Sequence, residues 1–288
     1  NGKCKVWCRQ PPPEAEHRAL RALAVREGWC PADVADSSDG PADGPAPEIW
    51  HGTGIRVVPS SEGLFLLGAY IGNDDWVRAK LVQKAEEICS KSHVFEPAAV
   101  ISLSMVQAMV PACLVPQFTY LLRLHRPTQI RPAAQRMHDL TIAAVERVYQ
   151  VDRLTPMERR RISRPRRLGG WGITSPVDIC DAAFVAALGS AVNSSLLKDN
   201  PHLRATLLAL DEHCGPEGLC PTLRELGEAT ARLAAALPRF AQRQHLQSPT
   251  DAVGAFGCQG GQRTLTKAVH RHSFDRDFAA DDDYDPGN

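Results

Sequence analysis

The chain has 288 residues, 43% of them hydrophobic, which is enough to bury one large core or two modest ones. Its 33 basic and 33 acidic residues cancel, so net charge alone assigns neither a polyanionic nor a cationic partner. Nine cysteines, odd in number and irregularly spaced, argue against a disulfide framework and for reduced thiols, and hence for a nuclear or cytoplasmic protein rather than a secreted one. No secretory leader is read at the start, and no apolar run is read as approaching the roughly 18 residues of a membrane span. The even charge total hides a pattern. Residues 121–170 hold twelve Arg, no Lys and four acids, whereas 31–50 hold five acids and no base, and 275–288 hold six acids against one Arg.

In chain order, residues 3–7 alternate weakly and read as a short strand. Residues 9–52 read as an insertion. Three prolines open it at Pro11, a helical stretch follows around Ala15–Arg26, and Pro31–Pro47 is too poor in large apolar side chains to offset its ordering entropy. Ile55–Val58 and Leu64–Leu67 are β-prone runs joined by Pro59–Gly63, a spacing that predicts a hairpin between them, with Gly68 and Gly72 bracketing the next turn.

From Asp75 the period lengthens. Val77, Leu81, Ala85 and Ile88 predict a helix over 75–92, in which Asp74 and Asp75 suit the first turn. A buried helix is expected from Pro97, interrupted at Pro111 and Pro116, and another ends near His125. Residues 131–150 place Met137, Leu140, Ala144 and Val148 on one face. Thr155-Pro156-Met157-Glu158 and Ser175-Pro176-Val177-Asp178 each offer a hydroxyl N-cap, Pro at the first helical position and an acid at the third. The second of these opens a helix through Phe184, Val185, Leu188 and Val192. Shorter helices are predicted at 201–212, 221–243 and 261–279, with a loop at 254–261.

Three segments then carry a resemblance by their order: Asn1-Gly2-Lys3-Cys4-Lys5-Val6-Trp7, Leu66-Leu67-Gly68-Ala69-Tyr70-Ile71-Gly72, and Arg167-Leu168-Gly169-Gly170-Trp171-Gly172-Ile173. With Leu121-Leu122-Arg123, this order resembles the C-terminal part of a non-long-terminal-repeat retrotransposon reverse transcriptase, from just past its catalytic aspartates through the end of the palm and the thumb. The likeness covers 1–8 and about 52–195, with 9–51 a departure from it. It implies a terminal palm strand at 1–8, a primer-grip-like hairpin at 52–74 and a helical thumb-like domain at 75–195, while composition and periodicity give a flexible insertion at 9–51 and a helical extension, partly disordered, at 196–288. The expected fold class is α+β and predominantly α-helical, a small antiparallel hairpin followed by a helical bundle.

The resemblance also implies a function, that of an RNA-directed DNA polymerase whose partners are an RNA template, a DNA primer and the remainder of the polymerase chain. Polymerase chemistry needs paired acids for two metal ions. Asp74-Asp75 precedes a helix, and Asp281-Asp282-Asp283 has no flanking apolar strands, so neither pair fits. The chain, which starts at Asn1 without Met, therefore reads as a fragment with no catalytic residue of its own, inactive alone, and Mg2+ is expected only in an upstream palm.

What remains is grip. Leu66, Leu67, Gly68, Ala69 and Tyr70 form the primer-grip-like element, where Gly68 permits close backbone approach; the alternative is a hairpin used only for packing. By resemblance, Lys3 approaches a pyrophosphate, and otherwise it is a solvated strand end. Arg123, Arg126, Arg131, Arg159, Arg160, Arg161, Arg164, Arg166 and Arg167 are the expected phosphate ligands, since a guanidinium fork binds phosphate without reading bases. The competing reading is a solvated basic face partly paired with Glu158 and Asp152. Gly169-Gly170 is expected to shape a turn. Neither His213, Cys214 and Cys220 nor Cys4 and Cys8 has zinc-ligand spacing, and Ser194-Ser195 forms no nucleophile motif. Two further readings stand beside the polymerase: a non-catalytic nucleic-acid-binding helical module, and a decayed fragment serving only as a scaffold.

Overall fold

A computed structural model describes residues 5–7, 56–58, 63–95, 102–194, 209–215, 220–256 and 260–282. Lys3, Cys4, Cys8, the insertion at 9–51, Pro97, Ser195 and most of the helix predicted at 201–212 lie outside the described residues. The chain divides into two compact units, 1–80 and 81–288. The fold is α+β and predominantly helical, with a small antiparallel hairpin preceding the helices.

In the first unit, β1 (Lys5–Trp7) pairs in parallel with β2 (Arg56–Val58), and β3 (Gly63–Leu66) pairs antiparallel with β4 (Ala69–Gly72). The predicted hairpin is thus displaced. Its second strand turns back not onto Ile55–Val58 but onto residues 69–72, through Leu67 and Gly68. Both turn residues have positive φ, 49° and 86°, as a two-residue turn matching the strand twist requires. Gly68 adopts this freely, while Leu67 does so with its side chain 86% exposed. Tyr70 packs its ring between Phe65, at 5.0 Å, and Trp76, at 6.0 Å. Gly63 faces Trp76 so closely that a Cβ would lie 2.7 Å from the indole.

Helix α1 (Asp74–Ser90) starts where Asn73 accepts the Asp75 amide on its side chain and the Val77 amide on its carbonyl, both at 2.9 Å, with Asp74 and Asp75 in the first turn as the sequence predicts. Its later turns belong to the second unit, where Arg136 meets Glu86 at 2.9 Å and the Cys89 thiol lies 3.3 Å from the Met137 sulfur.

The second unit is built around one helix. In chain order come α2 (Leu103–Cys113), α3 (Val115–Leu124), α4 (Pro127–Tyr149), α5 (Pro156–Ser163), α6 (Pro176–Val192), α7 (Leu210–His213), α8 (Pro221–Ala236), α9 (Pro238–Gln244), α10 (Pro249–Phe256) and α11 (Gly261–Asp282). Helices α3, α4, α8, α10 and α11 all pack on α6. That crowding needs a helix apolar on every side and slim. Cys180, Ala182, Ala183, Val185 and Ala186 supply it, all buried. Around them Phe118, Leu122, Ile130 and Met137 are fully buried.

Several boundaries differ from the sequence reading for local reasons. α4 begins at Pro127 rather than residue 131, because a proline at the first helical position loses no hydrogen bond. The helix predicted at 221–243 breaks at Leu237, just before Pro238, and 254–256, predicted as loop, is helical. Thr155 and Glu158 form the full reciprocal capping box, which holds the Glu158 carboxyl below its ordinary range. Ser175 precedes α6 as predicted but makes no side-chain cap bond. The stretch Ser104–Leu124, with mean hydropathy 1.4 over an 18-residue window, is long and apolar enough to cross a membrane by length and composition, contrary to the sequence reading. It is broken between α2 and α3 at Leu114, and Val106, Val110, Leu114, Phe118 and Leu121 are buried in the second unit.

Candidate nucleic-acid interface

The nine arginines singled out by the sequence separate into two groups once their partners are known. Arg131 donates to both oxygens of Asp181 at 3.1 Å, and Arg232 donates to the same carboxylate and to the buried Glu225. Arg166 donates to the Gln107 carbonyl at 2.8 Å. Arg131 and Arg166, of the nine, thus bind the protein to itself. Arg126 is half-buried at the start of α4, and Arg161 is exposed on α5. Glu158 and Asp152, the expected acidic partners, are replaced in that role by Glu146 and Asp181.

Arg123, Arg159, Arg160, Arg164 and Arg167 instead come together around two adjoining cavities of the second unit. The first, about 290 Å³, is bounded by α4, α5, the start of α6 and α11, with Arg159, Arg160, Arg164 and Arg276 in its wall. The second, about 660 Å³, holds Arg123, Arg167, Arg263 and Lys267 over an apolar floor of Ala186 and Phe256. Pro165 and His270 line both. Eight cationic side chains thus face two cavities in which Asp178 is the one acid among the described residues. Cationic side chains that so outnumber the acids lining the cavities form a field that attracts phosphate.

The segment between α5 and α6 explains how these arginines are aimed. Arg166–Leu168 make one tight helical turn, ended by Gly169 at φ 77°. The Gly170 amide returns to the Pro165 carbonyl at 3.2 Å and the Gly172 amide to the Arg164 carbonyl at 2.8 Å. Gly170 lies against that same residue, and a Cβ there would overlap the Arg164 carbonyl and stand 2.5 Å from the Arg164 Cβ. Trp171 stacks on Tyr149, ring centres 4.8 Å apart. The Gly-Gly step therefore shapes a turn, as the sequence predicts, and the turn sends Arg164 and Arg167 toward different cavities. Arg159 is fixed by Glu146 at 3.0 Å and by the Leu154 carbonyl, and Arg164 stacks on Phe274 with 5.3 Å to the ring centre.

Sequence reasoning missed Arg263, Lys267, His270 and Arg276. Their signal was available, since 263, 267 and 270 follow a helical i, i+4, i+7 stripe on α11. His138 and His270 are held neutral mainly by burial, which pushes both imidazoles below their ordinary range; Arg159 adds to this for His138, against Asp139 and Asp178, and Arg167 for His270.

The expected primer-grip residues occupy the β3–β4 turn, with Leu66 and Leu67 exposed and Tyr70 in the ring stack. No group of three or more His, Cys, Asp or Glu side chains is placed to hold a metal ion among the described residues. His213, Cys214 and Cys220 assemble no such group either. No protein-family model, curated protein or solved structure matches the chain.

Proposed function

We propose that this chain is the nucleic-acid-gripping, C-terminal part of a retrotransposon-type RNA-directed DNA polymerase, acting in the nucleus or cytoplasm. The observation that carries the reading is the convergence of Arg123, Arg159, Arg160, Arg164 and Arg167 with Arg263, Lys267 and Arg276 on two adjoining cavities. A polymerase must hold every template–primer alike, and charge on phosphate does so without reading bases. The order of strand, Leu-Gly hairpin and Arg-Leu-Gly-Gly-Trp-Gly segment supports the polymerase class over other phosphate binders. In this reading the metal-binding aspartates belong to a palm segment outside the chain, and the Leu66–Tyr70 turn supports the primer end.

A labelled RNA–DNA hybrid titrated with the chain at low salt tests the grip, with saturable, salt-sensitive binding expected. No binding at 50 mM salt refutes it. The polymerase class is tested by the coding sequence preceding Asn1, where an apolar strand-turn-strand with paired Asp is expected. Hybrid binding with no such motif upstream assigns the chain instead to the non-catalytic nucleic-acid-binding modules.

A further inference from the structure

The smaller cavity carries a demand that general backbone binding does not explain. His138 Nδ1 and His270 Nε2 are buried ring nitrogens with no hydrogen-bond partner. Buried polar atoms are nearly always partnered, and both side chains line one cavity, so the pair points to a ligand with several oxygens. A neutral imidazole carries one N–H, which either ring nitrogen can bear to suit an acceptor. Around them stand the guanidinium groups of Arg159 and Arg164, both anchored from behind, and those of Arg160 and Arg276. Ser163, Ser175 and Ser273 add hydroxyls to the wall.

We propose that this cavity is a site for one phosphate monoester: the terminal phosphate of a nucleic-acid strand, or of a mononucleotide. A monoester carries a charge of about −1.5 to −2 and three terminal oxygens at neutral pH, against one charge and two free oxygens for a diester. Of its four guanidinium groups Arg159 is paired with Glu146, and with Asp178 as the one acid among the described lining residues an excess of positive charge remains, which suits the larger charge. The second argument is connectivity. A backbone diester must leave its site in two directions, whereas a terminal phosphate leaves in one. The cavity meets its larger neighbour at Pro165 and His270, and that neighbour combines an apolar floor with four more cations, a setting for the attached sugar, base and following phosphates. The strand-end form of the proposal rests on the nucleic-acid reading above, and the monoester form does not.

The test compares three otherwise identical short RNA–DNA hybrids: 5′-phosphorylated, 3′-phosphorylated, and hydroxyl at both ends. One phosphorylated hybrid is expected to bind about tenfold tighter than the hydroxyl form. In His138→Phe and His270→Phe the ratio falls to about one, and in His138→Gln, which keeps a donor, part of it returns. Because a buried substitution can unfold the chain, a second measurement uses the unaltered protein. Titration with adenosine monophosphate and with inorganic phosphate is followed by 15N resonances of the histidine rings, and His138 and His270 are expected to shift. Equal binding of all three hybrids with unmoved ring resonances overturns the monoester site and leaves the grip standing. Shifted resonances without any hybrid binding overturn the grip and leave the site as one for a free nucleotide or phosphate, adenosine monophosphate shifting at lower concentration if the larger cavity takes the nucleoside. Absence of both responses overturns both.

Discussion

Neutralising one cavity arginine and one internally paired arginine should have opposite effects, and the structure sets the size of each. Arg123, Arg167, Arg263 and Lys267 line the larger cavity, which has no acid among its described residues. Four phosphate contacts there give log Kd a slope on log salt of about 3.6 and cost roughly a hundredfold in affinity between 50 and 200 mM. Arg167→Gln removes one of these, so the slope should fall by about 0.9 and affinity at 0.1 M by about five- to tenfold. Its stability should hardly move, because Arg167 is exposed and forms no ion pair with a described residue. Arg131→Gln removes the pair with Asp181, whose carboxylate keeps Arg232, and the arginine is 42% exposed. Solvent screening limits that loss to about 0.5–1 kcal/mol of stability, with the salt slope unchanged. Fluorescence anisotropy on a labelled hybrid across five salt concentrations, beside urea unfolding of each variant, reads both quantities. If Arg131→Gln lowers the slope as much as Arg167→Gln does, the sorting of arginines by their partners is wrong.

Gly170→Ala should destabilise the second unit by about 2–3 kcal/mol through overlap with Arg164, against about 1 kcal/mol for Gly169→Ala, whose added Cβ meets nothing; equal urea midpoints would refute the steric account. His125, whose pKa burial pushes down to about 4, stays neutral in the folded chain while the unfolded chain protonates near 6.5. Its contribution is therefore complete above pH 6.5 and lost as pH falls to 4, about 3 kcal/mol in all, so unfolding free energies of wild type and His125→Asn should converge over that window. Cys113 and Cys220 are exposed and should react with a thiol reagent in the native state, while Cys180 and Cys214, whose thiols burial raises to about 12 and about 11, should react only on unfolding.

The parts of this fold legible in the sequence are those fixed by neighbours along the chain. Thr155 and Glu158 lie three residues apart and complete their box within one turn, and Val77, Leu81, Ala85 and Ile88 mark the buried side of α1 because a helix repeats its own faces. The hairpin was misplaced for a related reason. Residues 55–58 and 64–67 look alike as β-prone runs, but pairing follows turn geometry, and it was the Leu67-Gly68 pair that could fold back in two residues. The cavities were beyond local reading. Arg123 on α3 and Arg263 on α11 meet in one cavity because both helices pack on the same slim central helix.

That arrangement also resolves how a chain of zero formal charge carries a strongly basic site. Charge counted along the sequence gives residues 121–170 an excess of eight, yet Arg131, Arg136 and Arg159 in that run are answered by Asp181, Glu86 and Glu146. Two of those acids lie outside the run, on α6 and α1. Meanwhile Arg263, Lys267 and Arg276, from a segment whose end is acidic, add to the cavity walls. Folding therefore places acids on arginines that hold helices together, and Asp178 is the one acid among the described residues that line the cavities. A phosphate entering there meets Arg159 and Arg164 already held by the Glu146 carboxylate and the Phe274 ring, so less ordering cost remains to be met by the ligand. The same sorting makes the site fragile in one direction only. An acid introduced on the cavity face of α11, as in Thr266→Glu, should weaken hybrid binding by about five- to tenfold without disturbing the core, because the second cavity has no carboxylate among the described residues and Thr266 is only partly buried in its wall.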